Sequence, residues 1–176
     1  MSEATKAPVP PPAPNPELAK SSPWSPGDIV AQAISDDERL WIPMGDGFWV
    51  RPLLFDTTNG AWVNVMRTAT SGVISRHRHP SPVHGYVIDG SWHYLEHDWV
   101  AEPGAYVYEP AGDTHTLVID DPAVSHTLFW ISGAMIHVDE EGRQLGYADV
   151  FTRIEEARRH FEAVGLGGDY VKQLIR

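Results

Sequence analysis

Short runs of alternating hydrophobic and polar residues fill most of the chain. Between about Asp28 and Ile136 the segments FWVRPLLF, AWVNVMRTA, GVISRHRH, GYVI, SWHYLEH, AYVYEP, HTLVI and SHTLFWIS succeed one another, separated by DTTNG, IDGS, AEPG, PAGD and DDPA. Runs rich in Val, Trp, Tyr and Phe at this even spacing, bounded by turn residues and free of helical periodicity, predict an all-β sandwich or barrel. The pattern changes in TRIEEARRHFEAVG, where Ile154, Ala157, Phe161 and Val164 share one helical face and charged residues take the other. That segment predicts one C-terminal amphipathic helix covering an end or edge of the barrel. Thr152 and Glu155 fit a capping box, Glu155 and Arg159 an i,i+4 pair, and Gly165 a stop.

Ahead of the β-runs, PVPPPAPNPELAKSSPWSPG has too many prolines for regular structure. The expected organisation is a flexible arm over residues 1–27, a barrel over 28–147, and a helix and tail over 148–176 packed on the barrel. Trp24 is the residue that would anchor the arm on a neighbouring subunit.

Composition narrows the functions. A chain of 176 residues, 42% hydrophobic, has enough apolar surface for one core. Its net charge of −11, from 24 acidic and 13 basic residues, repels phosphate backbones and anionic lipid, and no basic cluster offsets it locally, so neither nucleic acid nor a membrane is an expected partner. No apolar run approaches the roughly 20 residues of a membrane span, and MSEATKAPVP lacks the apolar centre of a secretory signal, which gives a cytoplasmic expectation. The absence of cysteine leaves His and carboxylates as the available metal donors.

The histidines are unevenly spread. SRHRHPSPVHGYVIDG carries His77, His79 and His84, and His115 follows further on. Residues two apart in a strand project from the same face about 6.6 Å apart, so His77 and His79 can converge on one ion while Arg78 points away. In GAYVYEPAGDTH a strand from Gly104 reaches the Pro110-Ala111-Gly112 turn and delivers His115. His93, His97, His126, His137 and His160 have no such spacing and read as surface or core residues.

These two segments resemble the paired motifs of the cupin superfamily, small β-barrels of jelly-roll type. The second motif, Gly, five residues, Pro-x-Gly, two residues, His, is met by Gly104, Pro110, Gly112 and His115. The first is met by His77, His79 and Gly90, with Gly72 one residue nearer than usual. The resemblance implies metal ligation by His77, His79 and His115. It also exposes a departure: the first motif's glutamate position, counted back from Gly90, holds Val83, which has no donor atom. His84, at the alternative spacing, is turned away from that side by strand alternation unless a bulge intervenes, and is expected in the wall or behind the ligands.

Three neutral imidazoles would leave a divalent ion its whole charge and about three open positions, which invites a chelating anion and dioxygen and argues against a closed structural site. Aromatic residues crowd the strands, and Tyr94 and Tyr108 are the expected contacts of a phenolic substrate, with Val83 and His84 beside them. Glu109 and Glu96 are carboxylates in apolar β-runs. Glu109, six residues before His115, can accept a ligand N–H or take a substrate proton; Glu96 can do likewise or become the missing ligand.

The segments WIPMGDGFWVRPLLFDTTNGAWVNVMRTATSGVISRHRHP and ADVFTRIEEARRHFEAVG extend the resemblance to the cupin branch containing 2,4'-dihydroxyacetophenone dioxygenase and the cupin domain of the ChrR anti-sigma factor. What this resemblance implies is a non-haem Fe(II) enzyme that cleaves an aromatic α-hydroxyketone with O2, giving 4-hydroxybenzoate and formate. The alternatives are a ChrR-like zinc module that regulates a partner or senses a ligand, a metal-dependent isomerase, and a dioxygenase for diketones or flavonols. A His₃ site also accepts Zn, Ni, Mn or Cu. Pairing through β-edges predicts a homodimer or homotetramer.

Overall fold

The β-runs fold into two facing antiparallel sheets. The computed structural model describes residues 13, 16, 21–23 and 25–176, so Trp24 and most of the expected arm lie outside the described residues. The strands are β1 (Ile42–Gly45), β2 (Phe48–Asp56), β3 (Ala61–Thr68), β4 (Gly72–Arg78), β5 (Val83–Asp89), β6 (His93–Tyr94), β7 (Tyr106–Glu109), β8 (Thr114–Ile119), β9 (Ser125–Ser132), β10 (Ala134–Val138) and β11 (Gln144–Asp149). One sheet runs β1-β2-β3-β9-β5-β7 and the other β11-β10-β4-β8-β6. Strand alternation sends Trp62, Val83 and Ile131 from the first sheet and Leu117 from the second into one buried core. Among the described residues the fold is all-β with one α-helix, as the periodicity predicts.

Every predicted run contributes a strand, although SWHYLEH is reduced to His93–Tyr94, and β1, β10 and β11 are additional. A glycine is required at one turn above all. Gly90, with φ 71°, turns the chain out of β5 where an added Cβ would stand 2.1 Å from Ser125 Cβ.

Helix α1 (Val150–Ala163) follows β11 directly. Its capping box differs from the expected one. Asp149 is the N-cap and accepts from Thr152 N, while Thr152 Oγ1 accepts from Asp149 N, both at 2.8 Å. The carboxylate three residues earlier takes the cap because strand β11 ends there in extended backbone, and Thr152 becomes its reciprocal partner. Glu155 pairs with Arg158 at 3.0 Å, and Arg159 donates to the Glu155 carbonyl. At the far end Gly165 (φ 80°) donates to Glu162 O and Leu166 to Phe161 O, which is a Schellman stop. The buried face carries Val150, Ala157 and Phe161 onto the core. After α1, Val171 and Leu174 are buried in a 3-10 turn, and Arg176 exchanges backbone hydrogen bonds with Phe55 and Thr57 along β2. Among the described residues no helix is long and apolar enough to cross a membrane.

Candidate metal centre

Antiparallel register lines up histidines on three neighbouring strands. His77 on β4 is paired with His137 on β10 and with His115 on β8, so all three side chains leave the same face of the second sheet. His79 follows the end of β4 and returns to that face, as parity requires, while Arg78 is exposed and donates from Nε to Gly112 O at 3.1 Å. The Pro110–Gly112 turn is itself pinned here, since Gly112 N donates to His79 O at 2.7 Å with Gly112 at φ 90°. The turn that delivers His115 is thereby tied to the strand that delivers His77 and His79.

The first sheet supplies a fourth donor. Glu109 on β7 is the cross-strand partner of Val83 on β5, so their side chains share the inward face. The carboxylate that the first motif lacks at Val83 thus arrives from the adjacent strand. Glu109 Oε2 lies 3.5 Å from His79 Nε2 and 3.4 Å from His115 Nε2, and His115 Nε2 lies 3.2 Å from His77 Nε2. One donor atom from each of the four residues falls within 4.8 Å of every other, and all four residues are buried. Where three histidines with an open side were expected, the side chains that could hold an ion are three histidines and Glu109.

The surroundings suit a cation. His79 Nδ1 donates to Ala134 O at 3.1 Å, which fixes the tautomer with an Nε2 lone pair facing inward. His77 Nδ1 is 3.0 Å from Ser75 Oγ, and His115 Nδ1 is 3.6 Å from Asp113 Oδ2. Burial pushes all three imidazoles below the ordinary histidine range, His79 to about 4, so they present neutral lone pairs. Burial also pushes Glu109 up to about 7, against the hydrogen bond from Tyr94 that favours its charge. Glu109 Oε2 is a buried acceptor without a hydrogen-bond partner, a costly arrangement that a positive ion among the three Nε2 atoms would relieve. Three imidazoles and one carboxylate are an appropriate donor set for a divalent transition ion.

Tyr94 braces this cluster from behind. Its hydroxyl donates to Glu109 Oε1 at 2.6 Å, and its ring stacks on His115 with centroids 3.9 Å apart and planes 9° from parallel. Tyr94 also lines the cavity, but its hydroxyl is committed to Glu109. Val83 lines the cavity too, as expected. Two expected substrate contacts do not. Tyr108 and His84 form a cross-strand pair on the outer face, where Tyr108 is 55% exposed and His84 Nδ1 meets Tyr106 Oη at 2.7 Å. Alternation accounts for both: each neighbours a residue, Glu109 or Val83, that points inward. Glu96 does not reach the cluster either; it binds Arg76 Nη1 at 2.5 Å and Thr116 N at 2.7 Å.

The cluster opens onto a cavity of about 540 Å³ between the sheets, a size suited to a small organic molecule. Trp62, Met66, Leu117 and Phe129 make much of its wall apolar, and β10, β11 and α1 form its rim through Met135, Tyr147 and Arg153. His137, expected at the surface or in the core, lines this cavity with its ring centroid 6.4 Å from that of His77. Burial and the Arg153 charge hold His137 below its ordinary range. Its motif-free position hid it, and the signal that finds it is register with His77.

A family model for the ChrR cupin-like domain matches residues 30–136. The chain belongs to this family. Among solved structures, this ChrR-like cupin is similar to a cupin-like protein of unknown function from Ralstonia eutropha, at 27% identity over 68% of this chain and 75% of the other, with a TM-score of 0.65. It shares its fold with an RmlC-like cupin from the same organism, at 24% identity over 78% and 90% of the two chains, TM-score 0.69. It shares it also with an acetylacetone dioxygenase from Acinetobacter johnsonii, at 12% identity over 80% and 99%, TM-score 0.65. No curated protein matches the sequence significantly. In this ChrR-like cupin the four inward donors come from β4, β7, β8 and the β4–β5 connection, so both sheets contribute.

Proposed function

We propose that this cupin is a non-haem iron(II) dioxygenase. Its reaction would cleave the bond between the carbonyl and hydroxymethyl carbons of an aromatic α-hydroxyketone, converting 2,4'-dihydroxyacetophenone and O2 into 4-hydroxybenzoate and formate. The observation that carries the reading is a buried His₃Glu group of which His77, His79 and Glu109 line a cavity of about 540 Å³ with aromatic and aliphatic walls. The fold shared with a dioxygenase that its name assigns to a small diketone lends support.

His77, His79, His115 and Glu109 would hold the metal, through the three Nε2 atoms and Oε2. Iron(II), when bound, supplies electrons to dioxygen and a Lewis acid for the substrate's oxygens. Trp62 and Phe129 exclude water from the aromatic body of the substrate and orient it. Tyr94 holds Glu109 Oε1 in place and leaves Oε2 for the ion; without metal this carboxyl is pushed up to about 7, and it would give up its proton when the ion binds. With three imidazoles neutral and Glu109 ionised, the protein brings one negative charge to the centre.

A second reading is favoured by the fourth donor. A closed His₃Glu set suits zinc in a ChrR-like regulatory or ligand-sensing module. Metal analysis of protein purified without oxygen, followed by oxygen uptake with aromatic hydroxyketones, separates the two. The dioxygenase reading expects uptake in the iron-loaded protein, and loss of both metal and uptake in His115→Ala. Stoichiometric zinc with no uptake after iron reconstitution would overturn the dioxygenase reading.

A further inference from the structure

Away from the four donors, the same cavity holds a second group of polar side chains with unused hydrogen-bonding capacity. Arg153 enters from the first turn of α1 and is 13% exposed. Its Nη1 donates to Glu156 Oε2 at 2.7 Å and lies 3.8 Å from Met44 Sδ, while Nε and Nη2 have no partner among the described residues. Glu156, 35% exposed, lines the cavity beside it. His137 stands between this pair and the metal-centre histidines: its ring is 6.4 Å from His77, it senses the charges of Arg153 and Glu156, and its side chain makes no hydrogen bond among the described residues. An i,i+3 ion pair on a helix is ordinarily a solvated surface feature. This one faces a largely apolar cavity.

The charges define what can bind there. Arg153 and Glu156 cancel, so the pair offers no net attraction to compensate the desolvation of a ligand carboxylate or ammonium. A neutral group that both donates and accepts satisfies the two together. A hydroxyl can donate to the Glu156 carboxylate and accept from Arg153 Nη2, with the His137 ring next to it. We propose that Arg153 and Glu156 form a recognition subsite for a neutral hydroxyl at the end of the substrate remote from its metal-binding oxygens. The subsite determines specificity and takes no part in bond cleavage. The proposal rests on the reading of the cavity as an aromatic hydroxyketone site, and it selects ring-hydroxylated substrates over unsubstituted ones.

The test uses the full-length, zinc-loaded protein and two probes that lack the α-hydroxyl and so do not turn over, 4-hydroxyacetophenone and acetophenone. Calorimetric titration of wild-type protein should show the hydroxylated probe binding roughly 10- to 100-fold more tightly, the range for a hydrogen bond to charged partners. Arg153→Met and Glu156→Gln should each reduce that preference to less than about threefold and leave the acetophenone affinity, the zinc content and the circular dichroism unchanged. Equal affinities in the wild type, no binding of either probe, or a preference that survives both substitutions would overturn the subsite. Binding is read without oxygen chemistry. A wild-type preference that both substitutions abolish, in a protein that consumes no oxygen, therefore removes the dioxygenase reading alone, and equal wild-type affinities with normal oxygen uptake remove the subsite alone.

Discussion

Tyr94 acts on the centre through two contacts, a hydrogen bond to Glu109 Oε1 and a ring stacked on His115. Tyr94→Phe separates them, because phenylalanine keeps the stack and loses the donor. The lost donor had favoured the charged carboxylate, so the Glu109 pKa should rise above its value of about 7. The pH at which added metal is half bound should therefore move to higher pH, because protons compete for Glu109. An unmoved midpoint would show that Glu109 is not a metal donor. The histidines of this centre were legible because the His77, His79 and His115 spacings are fixed along the chain. The position of Glu109 among them was not, since it depends on the Val83–Glu109 register across β5 and β7. Parity nonetheless carried a usable constraint: Tyr108 and Glu109 are adjacent on one strand, so an inward Glu109 already places Tyr108 outside.

Among the elements, β10, β11 and α1 set the rim of the cavity. They were the least legible part of the β-domain. β9 passes into β10 through the single residue Gly133, so no multi-residue turn marks where a further strand begins, and β11 has exposed positions and lacks a clean alternation. The helix itself was plain from its apolar face, while its start was misplaced because Asp149 lies at the end of a strand that the pattern did not reveal. The Asp149 carboxylate fastens the β11–α1 junction, and Asp149→Ala should destabilise the protein by about 1 kcal/mol. Denaturant unfolding followed by circular dichroism measures this. Because Arg153 and Glu156 sit in the turns just after the cap, the same variant should weaken binding of ring-hydroxylated ligands.

For the molecule as a whole, the buried centre couples stability to pH and to metal. In metal-free protein, His77, His79 and His115 have folded pKa values below 6.5, so between that value and the folded one the unfolded chain binds more protons. Stability is then lost as pH falls, over a window reaching down to about 4 for His79. Glu109 has the opposite sign: its folded pKa of about 7 exceeds 4.5, so it favours the folded state as pH falls through that interval. Three histidines oppose one carboxylate, and the net expectation is a falling midpoint below pH 6.5 in chelator-treated protein. A metal bound only to the folded state raises stability by about 2.7 kcal/mol when present at 100 times its Kd. Thermal melts with and without added divalent metal, repeated on His115→Ala, should show the gain in wild-type protein only.

The central claim is that the His₃Glu centre and its cavity together run a dioxygenase reaction, and isotope distribution tests it most directly. Iron-reconstituted protein supplied with 2,4'-dihydroxyacetophenone under ¹⁸O₂ should yield 4-hydroxybenzoate and formate carrying one labelled oxygen each, in step with oxygen consumed. Failure to consume oxygen, or products whose new oxygens come from water, would contradict the account.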